Sequence, residues 1–173
     1  MKYKTPKKVI DLLTDIVSKN GNLLLNFPLP NSGELDYEEM ETLEGITAWM
    51  RINGEGIYST RPWKIYGEGP STKVKIVTGN FNEDNRNDLT AEDIRFTVKG
   101  STLYAFVMGW PGKEAAVQAL GLGSPQQPGK ILKVELLGHN RDLNWKQIDA
   151  ALKVQMPAEK ISDIGITLKV GLA

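Results

Sequence analysis

The stretch that decides the fold is Ile94–Met108, with the sequence IRFTVKGSTLYAFVM. Over Ile94–Val98 apolar and polar side chains alternate, and a period of two is typical of a half-buried β-strand. Gly100 lies at the centre of a turn signal, and the apolar run Leu103–Met108 predicts a return strand. The stretch therefore predicts a β-hairpin and indicates an antiparallel sheet.

The later two thirds of the chain repeat this pattern of short strands separated by turns rich in Gly and Pro. Five further segments have strand character: Lys73–Ile76, Glu114–Leu120, Ile131–Leu136, Ala151–Gln155 and Ile164–Val170. Leu143–Trp145 is a candidate for one more short strand, and the polar segment 79–87 predicts a loop. We therefore predict a mainly β fold, an antiparallel β-sandwich of seven or eight strands over residues 64–173.

Residues 1–63 follow a different pattern, which predicts helix, strand, helix. Thr5 followed by Pro6 is a helix start, and Asn20-Gly21 is a left-handed stop. The nearly continuous apolar run Leu23–Phe27 predicts a strand buried on both faces, as in parallel sheets. Asp36 opens a second helix that is predicted to end at Asn53-Gly54. The predicted apolar face of this second helix consists of Met40, Leu43, Ile46, Thr47 and Met50.

The α-β-α piece contains a single predicted strand, Leu23–Phe27. A parallel strand needs neighbours to satisfy its backbone groups. We therefore interpret residues 1–63 as a piece of a larger sheet. Its open edge predicts that the piece folds against the sandwich or that a second copy of the chain pairs through Leu23–Phe27.

Length and composition exclude several classes of protein. The chain has 173 residues, whereas a complete (β/α)8 barrel needs roughly 200 or more. Equal numbers of acidic and basic residues (21 of each) argue against a generic nucleic-acid surface. No Cys and a single His, His139, exclude thiolate and multi-His metal sites within one chain. No apolar run is long enough to span a bilayer, and we expect neither a cofactor nor a metal.

Four motifs resemble one family. Asp15–Asn26 (DIVSKNGNLLLN) is similar to the last helix–strand unit of the catalytic barrel in α-L-fucosidases of glycoside hydrolase family 29. Asn53–Trp63 (NGEGIYSTRPW) resembles the segment that closes that barrel. Asp93–Thr97 and Ala105–Pro111 resemble the start of the family's C-terminal β-sandwich. The chain departs from the family at Phe27-Pro28-Leu29-Pro30, where a Gly-Pro turn is common.

The resemblance implies that the chain is the C-terminal fragment of an α-L-fucosidase, with the end of the barrel in residues 1–63 and the sandwich in residues 64–173. The family hydrolyses α-L-fucosides with retention, and its nucleophile and acid/base residues lie upstream of these motifs. No catalytic residue is therefore carried over, and we expect this chain alone to be inactive. The sandwich would support a missing catalytic barrel, its expected partner. For a full-length parent the family implies a periplasmic, secreted or lysosomal location.

The candidates for substrate binding are Asn26, Phe27 and Trp110. Asn26 lies at the carboxyl end of the predicted strand, where barrels place functional groups, although a structural amide is the simpler interpretation. Phe27 could line a sugar pocket or pack in the core. Trp110 offers a sugar-stacking face if other aromatics share its surface; these are Trp63, Tyr66 and Tyr104. The alternative function is thus a carbohydrate-binding module for a fucosylated glycan.

The remaining polar candidates have simpler interpretations. Glu34 is expected to be a solvated turn residue, and His139 lacks a catalytic partner at motif spacing. Glu55 and Arg61 bracket the barrel-closing motif, where they could pair beneath Trp63 as packing between the two pieces. Four carboxylates are expected on the exposed face and N-terminus of the second helix: Glu38, Glu39, Glu41 and Glu44.

Overall fold

The computed structural model describes residues 3–28, 31–73 and 88–173. Helix α1 spans Pro6–Ser18 and helix α2 spans Tyr37–Asn53. Short 3-10 turns follow at Gly54–Gly56, Pro70–Lys73 and Gln118–Leu120. The predicted strand at 74–76 and the predicted loop at 79–87 lie outside the described residues.

The β-strands form two antiparallel sheets. The larger sheet has the order β1-β2-β3-β8-β5 and the smaller has the order β4-β7-β6. The bounds of the eight strands in the described part of the chain are β1 Arg61–Glu68, β2 Ile94–Lys99, β3 Thr102–Val107, β4 Glu114–Val117, β5 Ile131–Leu136, β6 Trp145–Gln147, β7 Leu152–Gln155 and β8 Ile166–Leu172. The predicted antiparallel β-sandwich is confirmed.

The predicted hairpin forms the centre of the larger sheet. Strands β2 and β3 pair from Ile94 opposite Val107 to Lys99 opposite Thr102. Gly100 in the turn has a φ of 59°, a left-handed conformation that glycine adopts without steric cost. The other edge of β3 pairs with β8, so this hairpin is covered on both edges by further strands.

The main core lies between the two sheets. Alternate residues of β2 and β3, among them Phe96, Leu103 and Ala105, are buried there against residues of β4, β5, β7 and β8. Burial of this apolar surface is the main driving force for folding. The opposite face of the larger sheet is covered by the helices: Ile10 and Trp49 pack with Phe106 in a second core. The molecule therefore has three layers: helices, five-stranded sheet and three-stranded sheet.

Strand β1 was not predicted. It contains Pro62 and Gly67, and its register with β2 shifts between these two residues. Pro cannot donate to a ladder and Gly lacks a side chain to pack, so the segment has no alternating pattern. β1 also crosses the predicted boundary after residue 63, and the division of the chain at that point stays a prediction. β6 begins at Trp145, two residues after the start of its predicted strand.

Both helices of the α-β-α piece form as predicted, with Thr5 and Asp36 as N-caps. The intervening strand was predicted wrongly: Leu23–Phe27 has no regular secondary structure. Leu24 is 94% exposed, which contradicts burial on both faces. The described residues place no strand beside this segment, so its backbone has no ladder to join. The open edge expected for pairing is therefore an irregular, partly apolar segment.

The face of α2 that meets the sheet also differs from the predicted one. Met40, Leu43 and Thr47 are exposed, whereas Glu39, Thr42, Trp49 and Asn53 are buried. Apolar residues surround much of this helix, so their spacing does not select a face. The hydrogen bonds of Trp49 and Asn53 to strand β8 and its flanking loop determine the orientation. The two predicted face residues that do contact the second core are Ile46 and Met50.

Candidate functional site

A buried ion pair joins the first helix to the outer face of the larger sheet. Arg95 on β2 donates from Nε to Asp15 Oδ1 on α1 across 2.7 Å. Its Nη2 donates to Ser71 Oγ at 2.8 Å, and its Nη1 donates to its neighbour's carbonyl, Ile94 O, at 3.2 Å. Arg95 is only 2% exposed. A guanidinium satisfied on all three nitrogens can be buried, so this residue acts as a fixed link between the layers.

Asp15 also accepts from Lys19 Nζ at 2.7 Å. Burial opposes ionisation of Asp15, but hydrogen bonds and charges from Lys19 and Arg95 outweigh it and hold the pKa of this carboxyl below its usual value. The ring of Tyr66 lies 4.5 Å from Lys19 Nζ and 5.5 Å from the Arg95 guanidinium carbon. Cation–π attraction therefore adds β1 to the same cluster.

A second set of hydrogen bonds attaches α2 to strand β8 and the residue before it. Trp49 Nε1 donates to Gly165 O at 2.9 Å, and Thr167 Oγ1 donates to Asn53 Oδ1 at 2.7 Å. The Asn53 side-chain nitrogen, Nδ2, donates to Trp49 O at 3.0 Å. These groups are buried, and buried polar groups of this kind define one relative position of helix and sheet.

The segment after α2 is attached in a similar way. Thr97 Oγ1 donates to Gly56 O at 2.7 Å. Glu55 pairs with Lys169 at 2.5 Å and accepts from the Tyr104 hydroxyl at 2.7 Å. The bonds from Lys169 and Tyr104 lower the pKa of Glu55, and burial together with the Glu55 carboxylate raises the pKa of Tyr104. Glu55 thus has partners other than Arg61, and the suggested Glu55–Arg61 pair is not formed.

A cavity of about 350 Å³ lies between α1, α2 and residues 23–28. It is called the helix-layer cavity below. Its walls are mainly apolar, with Val9 and Leu12 from α1 and Leu25 from the irregular segment. Glu39 of α2 also lines it and is only 4% exposed. Glu39 Oε2 has no hydrogen-bond partner among the described residues. The expectation that Glu39 lies on an exposed face was therefore wrong; Glu38, Glu41 and Glu44 are exposed.

Two further contacts involve residues that line this cavity. Tyr3 and Thr42 line it, and Thr42 Oγ1 donates to Lys4 O at 3.0 Å. The Tyr3 hydroxyl donates to the N-cap carboxylate of Asp36, and this bond raises the pKa of Tyr3 to about 12 and lowers that of Asp36. The polypeptide before α1 is thereby held against the start of α2.

The candidate substrate-binding residues do not share one place. Asn26 is exposed and Phe27 half-buried, and both line the helix-layer cavity. Trp110 is half-buried and packs against the sandwich core. Of the three, Asn26 and Phe27 line the same cavity and Trp110 does not.

The suggested aromatic platform is not assembled. Trp63 packs edge-on against Phe96, with ring centroids 5.2 Å apart. Tyr104 is buried, and Tyr66 lies under the Lys19 and Arg95 cations. Each of these rings therefore has a packing role in the described part of the molecule.

Two other predicted residues have ordinary surroundings. Glu34 is exposed. His139 lies after β5, where its backbone N–H donates to Leu136 O at 3.0 Å.

The described carboxylates do not form a catalytic pair in either cavity. Glu39 is the single carboxylate lining the larger cavity, and Glu68 is the single one lining a second, open depression of about 190 Å³ near Gln118 and Ser124. Glu68 accepts from the backbone N–H groups of Gln118 and Ala119 at 2.8 and 2.6 Å. Burial, opposed by these bonds, raises the pKa of Glu68.

Two kinds of feature are absent from residues 3–28, 31–73 and 88–173, a metal-binding cluster and a membrane-spanning helix. No group of three or more His, Cys, Asp or Glu side chains is arranged to hold a metal ion. No helix combines the length and apolar character needed to cross a bilayer.

Sequence reasoning missed the residues that join the layers. The sequence places Arg95 and Thr97 at polar positions of a strand and Asn53 in a helix stop, and all three lie in family motifs, but none of these patterns predicts a contact between the layers. One signal was available: the buried residues of α1 include the polar side chains Asp11, Thr14, Asp15 and Ser18, and a run of polar residues next to the apolar stripe of a helix indicates polar partners in a neighbouring element.

The fold and its site define a β-sandwich domain built onto a layer of two helices. The family model described as alpha-L-fucosidase matches residues 1–55, and the one described as alpha-L-fucosidase C-terminal domain matches residues 86–171. Together they cover most of the chain. The chain therefore belongs to the α-L-fucosidase family, as the sequence motifs predicted, and its sandwich is the C-terminal domain of that family.

Individual relatives agree. Human tissue alpha-L-fucosidase is 31% identical over 151 residues, which are 87% of this chain and 27% of that protein. Human plasma alpha-L-fucosidase is 28% identical over 158 residues, which are 90% of this chain and 29% of that protein. The chain thus spans less than a third of the length of these curated relatives.

Solved structures show the same fold. The alpha-L-fucosidase isoenzyme 1 from Paenibacillus thiaminolyticus is 27% identical, with a TM-score of 0.70 over 99% of this chain and 35% of that one. The Thermotoga maritima alpha-fucosidase, solved with a mechanism-based inhibitor, is 22% identical, with a TM-score of 0.72 over 97% of this chain and 34% of that one.

Proposed function

We propose that this chain is the supporting part of an enzyme that hydrolyses α-L-fucosides with retention, and that it has no fucosidase activity alone. In this role the sandwich holds α1 and α2 in place, and the two helices contact the rest of a (β/α)8 catalytic barrel, of which residues 1–63 are the predicted end. The barrel supplies the nucleophile, the acid/base and the sugar pocket.

The observation that carries the proposal is the absence of a carboxylate pair in the described cavities. Retaining hydrolysis needs two carboxyl groups about 5–5.5 Å apart on either side of the scissile bond. Each described cavity is lined by a single carboxylate, Glu39 or Glu68. The lining of these two cavities is in keeping with a supporting role for the described part of the chain.

The two faces of the helical layer also support this role. One face is attached to the sheet through Arg95–Asp15 and Trp49–Gly165. Away from it, several apolar side chains are in solvent, among them Leu24, Leu25, Met40 and Leu43. Exposed apolar residues on adjacent elements are typical of an interaction surface, and this is where we place the barrel.

The test begins with the chain alone and an aryl α-L-fucoside. We expect release of the aryl group at the rate of a blank. Turnover that is retained through a second chromatography step and lost on heating would overturn the proposal.

The positive half of the test adds the remainder of a fucosidase catalytic barrel, without the segment that corresponds to residues 1–63. We expect the chain to bind the barrel and raise its melting temperature, and an Arg95→Met variant to do so less well because the helical layer is loosened. No binding in either form would contradict the support role.

The same preparation distinguishes the other partners. Light scattering across a concentration series measures pairing of two copies through residues 23–27, and titration of a fucosylated glycan with tryptophan fluorescence measures sugar binding. We expect a monomer and no saturable fluorescence change. A change abolished by Trp110→Ala would instead support the carbohydrate-binding alternative.

A further inference from the structure

The two sheets of the sandwich are joined at their edges by side chains that bond to backbone groups. At the side between β5 and β6, Gln147 Oε1 accepts from the backbone N–H of Ile131 at 3.1 Å. At the opposite side, between β1 and β4, the two carboxylate oxygens of Glu68 accept from the backbone N–H groups of Gln118 at 2.8 Å and Ala119 at 2.6 Å. A side-chain amide does not titrate, whereas a carboxyl does. A proton can therefore change the contact that Glu68 makes and not the one that Gln147 makes.

The Glu68 contact, called the β1 clasp below, lies in surroundings that disfavour a charge. The depression of about 190 Å³ beside the carboxyl is lined by Ile65, Ala119 and Pro125 among other residues. Residues 115–129, which supply the facing wall, contain no Asp, Glu, His, Lys or Arg. Moving a carboxylate from water into such a place costs free energy that hydrogen bonds restore in part. Burial outweighs the two N–H bonds and raises the pKa of Glu68.

The charged residues around the clasp are engaged with other groups or exposed to solvent. Those on the surrounding elements are Lys64, Lys73, Glu92, Asp93, Arg95 and Glu114. Lys64 Nζ donates to two backbone carbonyls of the facing segment, at 2.7 and 3.0 Å. Asp93, Arg95 and Glu114 each have a hydrogen-bonded partner, and Lys73 and Glu92 are exposed. Burial and the two N–H bonds therefore set the protonation of Glu68.

The direction of the pH effect follows from proton linkage. When the clasp is open, the Glu68 carboxyl is in water and has the ordinary pKa of about 4.3. When the clasp is closed, burial raises that pKa. The closed form therefore binds a proton more tightly than the open form, and a fall in pH favours closure. The clasp is most stable below about pH 4.3 and becomes weaker as the pH rises through the raised pKa.

We propose that the β1 clasp is a pH-sensitive device that closes one side of the sandwich in acid and loosens it toward neutral pH. Loosening frees the end of β1 from the turn after β4, whereas Gln147 keeps the opposite side joined. β1 also follows α2 along the chain through the 3-10 turn at Gly54–Gly56, so a change in β1 reaches the connection between the helices and the sandwich. The device is made of sandwich residues of this chain and does not depend on the proposed function.

The test follows the two bonded amides during a pH titration of the whole chain. The ¹H–¹⁵N shifts of Gln118 and Ala119 report the charge on Glu68, because their N–H groups donate to it. We expect both amides to shift with a shared midpoint above about pH 4.3. Their protection from hydrogen exchange, corrected for the intrinsic rate, is expected to fall as the pH rises. A midpoint at or below the ordinary value, or protection that grows with pH, would overturn the device.

Two carboxyl variants make the assignment specific. Glu68→Gln is expected to abolish the titration of both amides, because the replacing side chain has no titrating group. Glu114→Gln, which removes a neighbouring exposed carboxyl, is expected to leave the midpoint unchanged. Titration that persists in Glu68→Gln, or that disappears in Glu114→Gln, would assign the shifts to another group and overturn the proposal.

Unfolding measures the same coupling by a second route. The free energy of unfolding is compared between wild type and Glu68→Gln by urea unfolding at a series of pH values, so that the contributions of other titrating groups cancel. We expect the wild type to lose stability relative to Glu68→Gln as the pH rises through the midpoint of the titration, because its carboxyl then carries a buried charge. A difference that is constant with pH, or that changes in the opposite direction, would overturn the clasp.

Discussion

Arg95 and Asp15 are 80 positions apart in the sequence, and their side chains meet at 2.7 Å between the helical layer and the larger sheet. Both residues are buried. Replacing both members of such a buried pair by apolar residues costs little stability. Removing one member is costly, because the other charge is left buried and unpaired. The pair therefore determines how strictly the helices keep their place on the sandwich.

Replacement of one member should be costly. We expect Asp15→Asn to lower the free energy of unfolding by about 3–5 kcal/mol, measured by urea unfolding. The matched control is Glu114→Gln, which removes an exposed ion pair with Lys153 and should cost less than about 1 kcal/mol. The double replacement Asp15→Leu with Arg95→Met should recover much of the loss. Equal costs for Asp15→Asn and Glu114→Gln would contradict the role of the pair.

Acid sensitivity should depend on Asp15 in a defined direction. The pKa of Asp15 is lowered in the folded state, so its stabilising contribution is complete above the unfolded-state value of about 3.9 and is lost as the pH falls through the folded-state value. Asp15→Asn should therefore flatten the loss of stability between pH 5 and acid pH, measured by urea unfolding at each pH.

Asp11 provides the opposite case on the same helix. Burial raises its pKa despite the neighbouring Lys7, so its contribution to stability is present at low pH and decreases as the pH rises. Asp11→Asn should therefore steepen the acid loss that Asp15→Asn flattens. Parallel pH profiles for the two variants and the wild type would refute this assignment.

The Trp49 hydrogen bond should be measurable by itself. Trp49→Phe keeps an aromatic ring near Phe106, whose centroid is 6.1 Å from that of Trp49, but removes the donor to Gly165 O. We expect a loss of about 1–3 kcal/mol from the unsatisfied carbonyl, plus a smaller packing loss, in thermal and urea unfolding. A variant as stable as the wild type would mean that water or another group replaces the indole N–H.

Gly67 should tolerate no side chain. A Cβ at this position would lie 2.4 Å from Ile94 O, which is backbone in the paired strand and cannot move without breaking the pairing of β1 with β2. Gly67→Ala should destabilise the chain by several kcal/mol or prevent folding, seen in circular dichroism and melting. Gly171→Ala in β8, where the Cβ would be 3.7 Å from Lys133, is the control and should fold normally.

The sequence pattern predicted those strands of the sandwich in which apolar and polar residues alternate and a turn signal marks the end. The β2–β3 hairpin is predicted nearly to the residue, because Gly100 marks its turn and one face of β2 is continuously apolar. The pattern does not predict β1, because Pro62 and Gly67 interrupt its alternation and the register with β2 shifts between them. The family motifs predicted membership, since they combine specific residues in a fixed order.

The sequence pattern could not predict the features that depend on contacts with neighbouring elements. The apolar run Leu23–Phe27 has the composition of a buried strand, but a strand exists only where another strand accepts its hydrogen bonds. Likewise, the apolar spacing of α2 did not show that Trp49 and Asn53 would face the sheet. The helix-layer cavity depends on Glu39 being turned inward, which no single-residue propensity indicates.

The place of β8 in the larger sheet has a consequence for synthesis on the ribosome. Ile166–Leu172 pairs with β3 on one side and with β5 on the other, so both of its neighbours are translated long before it. Until β8 emerges, β3 and β5 each carry an unpaired edge beside apolar side chains, a state that invites association with other nascent chains. A chaperone that shields these two edges should therefore raise the yield of native protein more than one that acts on the helices.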